Sequence, residues 1–146
     1  FNELEKKTNL KIIISAHPKQ TQKDNIYFPR KFCTQDTEQL IKYSKGLVCH
    51  FSGAISYAIL NSKPICFFYH KNWENIDYFS YNIQRYQEAL KNKFNVIDDN
   101  FNCEKVKFFY NKKTYKEYIK KYLSYSNRKK FFYWDEIFNQ MEKYEF

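Results

Sequence analysis

Gly46-Leu-Val-Cys-His-Phe-Ser-Gly-Ala-Ile-Ser-Tyr-Ala-Ile-Leu-Asn-Ser-Lys-Pro-Ile-Cys-Phe-Phe-Tyr69 decides the fold. Leu47–Cys49 has strand composition, and Ser52–Asn61 places Ile55, Ala58 and Ile59 at helical spacing. Lys63-Pro64 ends that helix, and Ile65–Tyr69 is a second apolar strand. The result is a βαβ unit with a right-handed crossover. Its first turn, His50-Phe51-Ser52-Gly53, lies where a parallel strand hands over to a helix N-terminus. Such ends carry unpaired N–H groups and a positive dipole end, which favour anions. Ser52 offers a capping hydroxyl, and Gly53 lets a ligand approach the backbone. His50, Ser52, Gly53 and Ala54 are therefore read as a seat for a phosphate. The competing reading is a capped structural turn.

The pattern repeats on both sides. Upstream, residues 2–9 read as the tail of a helix and Leu10–Ala16 as a strand buried on both faces. His17-Pro18 stops that strand, Lys19–Lys23 is polar loop, and Ile26–Arg30 is a short extended piece held by Pro29. Asp36 is expected to cap a helix running to about Lys45, with Gly46 as its C-terminal glycine. Downstream, His70–Ser80 reads as a loop, Tyr81–Lys91 as a helix and Phe94–Ile97 as a strand. Thr114-Tyr-Lys-Glu117 has the form of a capping box, opening a helix with Tyr115, Tyr118, Ile119, Tyr122 and Leu123 on one face. A last helix is expected from Asn127 to Tyr144, with Phe131, Trp134, Phe138 and Met141 on a stripe. This alternation specifies an α/β fold: an open, mostly parallel Rossmann-like sheet with helices on both faces. Ligands of such sheets bind at the carboxyl ends of the strands.

Length and composition bound the function. The 146 residues make one domain, 1–146, large enough for a core, and the 43% hydrophobic content argues against disorder. The chain begins with Phe1 and not Met, which suggests a piece of something longer. A net charge of +9 favours phosphates, nucleic acid or an anionic membrane surface as partners. No apolar run approaches membrane-spanning length, and no signal-peptide pattern is present. Cys33, Cys49, Cys66 and Cys103 show no CxxC pairing and are read as reduced thiols of a cytoplasmic protein.

The three histidines, His17, His50 and His70, each follow an expected strand, which would put them on one rim. Imidazoles are common metal ligands, but no carboxylate or thiol joins them at ligand spacing, so no metal is expected and an anion fits better. Lys19 and Arg30 could add phosphate charge, and His70 and Trp73 could touch donor or acceptor; each is also an ordinary surface residue type. Ser52 lacks the preceding glycine of a nucleophile elbow. Asp98-Asp99 reads as a solvated turn before it reads as a general base. The catalytic residues stay unassigned.

Ile12-Ile-Ile-Ser-Ala-His17-Pro18 resembles the strand and His-Pro motif of bacterial capsule and lipooligosaccharide glycosyltransferases, which include sialyl-, polysialyl- and glycerophosphate-transferring enzymes. Asp36 to Ser44, then Ser52-Gly-Ala-Ile-Ser-Tyr-Ala58 and Lys63-Pro64-Ile65, resemble the second half of the same pattern. The resemblance spans about residues 10–70. It implies the C-terminal donor-binding domain of a two-domain GT-B transferase, with His17 and Ser52 on the donor's phosphate and Pro18 shaping the loop. The donor would be a CMP-, CDP- or UDP-linked sugar, with no further cofactor. The glycan acceptor would be held by an N-terminal domain, at the cytoplasmic face of the inner membrane, with no nucleic acid partner. The chain departs from the pattern beside Ser52, where Phe51 and Gly53 stand in place of a second hydroxyl residue. Two rival readings are a nucleotide-sugar 2-epimerase-like fragment and a basic module for nucleic acid or membrane surfaces.

Overall fold

The computed structural model of the chain describes residues 1–17, 20, 30–34, 36–125 and 131–132. In order these form α1 (Asn2–Thr8), β1 (Ile14–Ser15), β2 (Phe32–Cys33), α2 (Thr37–Tyr43), β3 (Leu47–Cys49) and α3 (Ala54–Leu60). Then come β4 (Ile65–His70), a 3₁₀ segment (Lys71–Asn75), α4 (Asp77–Leu90) and β5 (Asn95–Ile97). A short 3₁₀ turn (Cys103–Lys105), α5 (Lys112–Tyr118), a π-turn (Ile119–Leu123), β6 (Ser124–Tyr125) and β7 (Phe131–Phe132) complete them. The chain is α/β, with helices around small parallel sheets.

The centre is the parallel sheet β3-β4-β5, in sequential order. Leu47 pairs with Ile65, and Phe68 with Asn95. Successive side chains of a strand point to opposite faces, so the unbroken apolar run of β4 requires cover on both. Ile65, Phe67 and Tyr69 join one core cluster with Ile55, Ala58 and Ile59 of α3, Ile83 and Leu90 of α4, and Tyr115 and Tyr118 of α5. Cys66 faces the other way and packs with Leu4 of α1, Cys103 and Val106. Both crossover helices feed one cluster, as two crossovers of like hand require when the strand order is sequential. Each fully buried Phe or Ile contributes about 1.5–3 kcal/mol by leaving water.

The Lys63-Pro64 connection is fastened from three sides. The Tyr115 hydroxyl donates to the Lys63 carbonyl at 2.8 Å, and Lys63 Nζ donates to the Ser44 carbonyl at 2.8 Å. Leu47 N–H donates to the Pro64 carbonyl, and a Cβ on Gly46 would sit 2.9 Å from that oxygen. Gly46 is thus required by close backbone approach and is no helix cap; the C-cap of α2 is Ser44, whose single hydroxyl proton has the Ile41 and Gly46 carbonyls as alternative acceptors.

Several expected elements differ. The strand expected over Leu10–Ala16 shortens to Ile14–Ser15 and pairs with β2, which the sequence did not single out. Leu10 and Ile13 are exposed, so β1 is covered on one side only. Among the described residues the β1-β2 ladder shares no hydrogen bond with β3-β4-β5. Asp36 stands before α2 in the left-handed region (φ 56°) and makes no side-chain cap. The expected loop His70–Ser80 is largely helical, because Asp77 starts α4 four residues before Tyr81. Helix α5 is capped by Asn111, whose Oδ1 accepts the Thr114 N–H at 3.0 Å; Thr114 itself is buried in the first turn. Phe131–Phe132 pair antiparallel with Ser124–Tyr125, so the helix expected from Asn127 does not run through them. Trp134, Phe138 and Met141 lie outside the described residues.

Candidate functional site

Parallel pairing puts the carboxyl ends of β3, β4 and β5 on one edge, and His50 and His70 stand there. Cys49 pairs with Phe67, so His50 lies one residue beyond that pair and His70 three. His17 follows the separate β1-β2 ladder, where its backbone closes a turn with Gln20. Pro18 and Lys19 lie outside the described residues.

The turn after β3 is held by rings. Phe51 is half-buried and meets Phe79 at 5.5 Å, Tyr78 at 5.9 Å and Trp73 at 6.3 Å. Trp73 also meets His50 edge-on at 5.6 Å and packs on Phe79 at 5.0 Å. These separations and tilts are the ones aromatic quadrupoles favour. They fix the turn against the start of α4.

Behind that anchor the backbone enters α3. The Ser52 hydroxyl accepts the Ala54 N–H at 3.2 Å, and Ser52 O accepts the Ile55 N–H at 3.1 Å. The Ser52 hydroxyl thus grips the first helical amide from one residue outside the N-cap: that position is Gly53, α3 has no side-chain cap, and it begins two residues later than the sequence suggested. The bond leaves the hydroxyl proton available for donation. Gly53 has φ −57° and ψ −25°, which any residue adopts, and a Cβ there would meet nothing within 4 Å. Neither strain nor crowding demands glycine at this position.

The two rim histidines present opposite edges. A carbonyl can only accept, so His50 Nδ1 donates to Phe51 O at 2.9 Å and carries the proton. Its Nε2 is then an acceptor while the ring is neutral. His70 Nδ1 instead accepts the Asn72 N–H at 3.2 Å, capping the 3₁₀ segment, which leaves its Nε2–H as a donor. A neutral His70 can thus donate to an anion, and His50 does so only when protonated.

Beside them is a network with no counterpart in the sequence analysis. The Tyr69 hydroxyl donates to Glu74 Oε1 at 2.7 Å, and Lys71 Nζ donates to Oε2 at 2.6 Å. These two bonds hold the Glu74 carboxyl below its ordinary range, Lys71 contributing most. Burial, with the Glu74 charge added, pushes the Tyr69 phenol up to about 12. The spacing Tyr69 to Glu74 fits neither strand nor helix periodicity, which is why the pair was not legible.

Arg30 is placed elsewhere. Its guanidinium pairs with Glu5 at 3.1 Å, donates to Asn2 Oδ1 and lies over the Phe1 ring at 5.3 Å. Two concavities also flank α1: about 380 Å³ bordered by Phe1, Asn2, Glu3 and Arg30, and about 700 Å³ between α1 and the segment Asp99 to Glu104. Neither is lined by residues 50–54. Among the described residues no three His, Cys, Asp or Glu side chains group as metal ligands, and no helix is long and apolar enough to cross a membrane. The chain matches no family model, no curated protein and no solved structure.

Proposed function

We propose that the chain is a Rossmann-like, donor-binding domain of a glycosyltransferase, with the turn His50 to Ala54 as its phosphate seat. The observation that carries this is Gly53. Of the two glycines, Gly46 is enforced by the Pro64 carbonyl, whereas Gly53 has open space where its side chain would be. It stands at the carboxyl edge of a parallel sheet, where ligands of α/β sheets bind. A phosphate approaching Gly53 meets the Ser52 hydroxyl as a donor, and His50 adds charge when protonated. Trp73, Tyr78 and the Glu74 network lie next to this seat, and a base or sugar ring attached to the phosphate would reach them. Stabilising negative charge on a departing nucleotide is the chemistry such donors perform. The acceptor and the catalytic base fall to a second domain under this reading.

Thermal unfolding with CMP, CDP, UDP, GDP or a short DNA tests it. A nucleotide at about a hundredfold excess over its dissociation constant raises the midpoint by about 5–10 °C. Ser52→Ala reduces the shift, and Gly53→Val, which fills the open space, abolishes it while leaving the ligand-free midpoint in place. A chain that responds to no nucleotide, or responds equally in Gly53→Val, contradicts the reading. A response to DNA alone favours the basic-module alternative.

A further inference from the structure

A second surface has a charge pattern that the donor site does not use. Between Lys105 and Tyr122 there are seven lysines and one acid, Glu117. Helix α5 sorts them by face. Thr114, Tyr115 and Tyr118 turn into the core, while Lys112, Lys113 and Lys116 are exposed. Residues three and four apart are neighbours on a helix, so Lys113 and Lys112 both adjoin Lys116 on the outward face. Glu117 offsets little of this charge, because its carboxylate is bonded by Lys91 of the α4 end at 2.7 Å and feels Lys113 only weakly through space. The π-turn continues the basic surface with Lys121, whose Nζ lies 5.0 Å from the Tyr122 ring centre. Tyr110, 48% exposed, stands before the helix and packs edge-on against Tyr115 at 5.3 Å.

Like charges one helical turn apart repel, so this face costs stability unless an anionic surface covers it. We propose that the outward face of α5, with Tyr110 and Tyr122 at its two ends, docks on an anionic lipid bilayer. Charge complementarity selects the partner: lysines near an anionic leaflet are each attracted to it, and tyrosines favour the headgroup level, with ring inward and hydroxyl in water. A bilayer is favoured over nucleic acid because Tyr115 and Tyr118 within α5 are buried, and the exposed Tyr110 and Tyr122 stand at the two ends of the face and give successive bases no continuous stacking platform. This docking is independent of the donor-site reading.

Co-sedimentation of the 146-residue chain with phosphatidylcholine vesicles, with and without phosphatidylglycerol, tests it. Binding is expected only with phosphatidylglycerol, and it falls as salt shortens the Debye length. Each lysine near the surface is worth about fivefold, so Lys113→Glu with Lys116→Glu weakens binding by tenfold or more. The milder Lys113→Gln, Lys116→Gln pair, with unchanged circular dichroism, gives an intermediate loss. Tyr122→Ser gives a smaller one. Equal sedimentation with both vesicle types overturns the proposal, as does binding unaffected by the paired substitutions. Tighter binding to a short single-stranded DNA than to phosphatidylglycerol vesicles overturns it in favour of nucleic acid.

Discussion

The ammonium of Lys7 donates to the backbone carbonyl of Cys103 at 3.0 Å, joining α1 to a turn 96 residues away in the chain. It also donates to the carbonyls of Glu104 at 2.5 Å and Val106 at 3.0 Å. One side chain thereby bonds three carbonyls in and just after the short 3₁₀ turn, of which that of Cys103 also accepts the Val106 N–H. The same contact seats Leu4 over Cys66 and Val106, so it closes the second face of the central sheet. Hydrogen bonds from a charged donor contribute about 1.5–3 kcal/mol. Lys7→Met keeps the aliphatic stem and removes the donor, and a loss of about 2 kcal/mol in urea unfolding is expected. A loss below about 0.5 kcal/mol, the size of an ordinary surface change, would show that the three carbonyls are served equally well by water.

The two glycines should respond oppositely to alanine. Gly46→Ala brings a methyl to 2.9 Å from the Pro64 oxygen, a backbone atom that moves only with β3 and β4. About 1–3 kcal/mol of stability should go, as in other overpacked sites. Gly53→Ala meets open space at ordinary helical angles, so its unfolding midpoint should stay within the error of the wild type. Equal losses at both positions would mean that Gly53 is also structural, and the strongest support for the phosphate seat would go with it.

Alkaline titration reports the burial of the central strand. Burial pushes the Cys66 thiol up to about 12 from an ordinary value of 9.0, and Tyr69 up to about 12 from 10.0. Both groups hold their proton more tightly when folded. The stability linked to this is therefore fully present below pH 9 and is lost as pH rises towards 12. The slope is about 1.4 kcal/mol per pH unit for each group while it lies between its unfolded and folded values. Glu74→Gln removes the charge that adds to the Tyr69 shift, so its decline should begin at the same pH, level off at a lower one and be smaller in total. Chemical unfolding between pH 8 and 11 measures both; a flat profile would show that the strand opens without these protons.

The parts that could be read in advance are those where one residue type has one physical meaning. The run Ile65–Tyr69 is apolar at every position and needs cover on both faces, and the helix after Leu47–Cys49 shows its buried face as Ile55, Ala58 and Ile59. Ser52 was only half legible: its hydroxyl does accept a backbone N–H, but from one position outside the helix, whose N-cap is Gly53. Leu10–Ala16 misled because β-branched residues suit a half-exposed edge as well as a core, and only the neighbours decide. Gly46 misled too: a glycine after a helix suggests a cap, and the Pro64 carbonyl that enforces it is 18 residues away in the chain. Glu74 was invisible for a related reason. Its partners come from a strand and a 3₁₀ turn whose meeting depends on where β4 ends.

Phe51 links packing to the site most directly. It is an apolar ring in a strand-to-helix turn, and its contacts with Trp73, Tyr78 and Phe79 hold Ser52 and Gly53 against α4. Because the ring is half-buried, Phe51→Ala should cost less than a core aromatic, about 2 kcal/mol. The loosened turn should expose the Ala54 and Ile55 amides, whose acceptors both belong to Ser52, to faster hydrogen exchange. Phe51→Leu keeps apolar bulk and should restore most of the stability but not the ring–ring term. A double-mutant cycle with Trp73→Leu should then return a coupling of about 0.5–1.5 kcal/mol. If Phe51→Ala speeds exchange across all of α3 equally, the ring supports the whole helix and does not specifically position the turn.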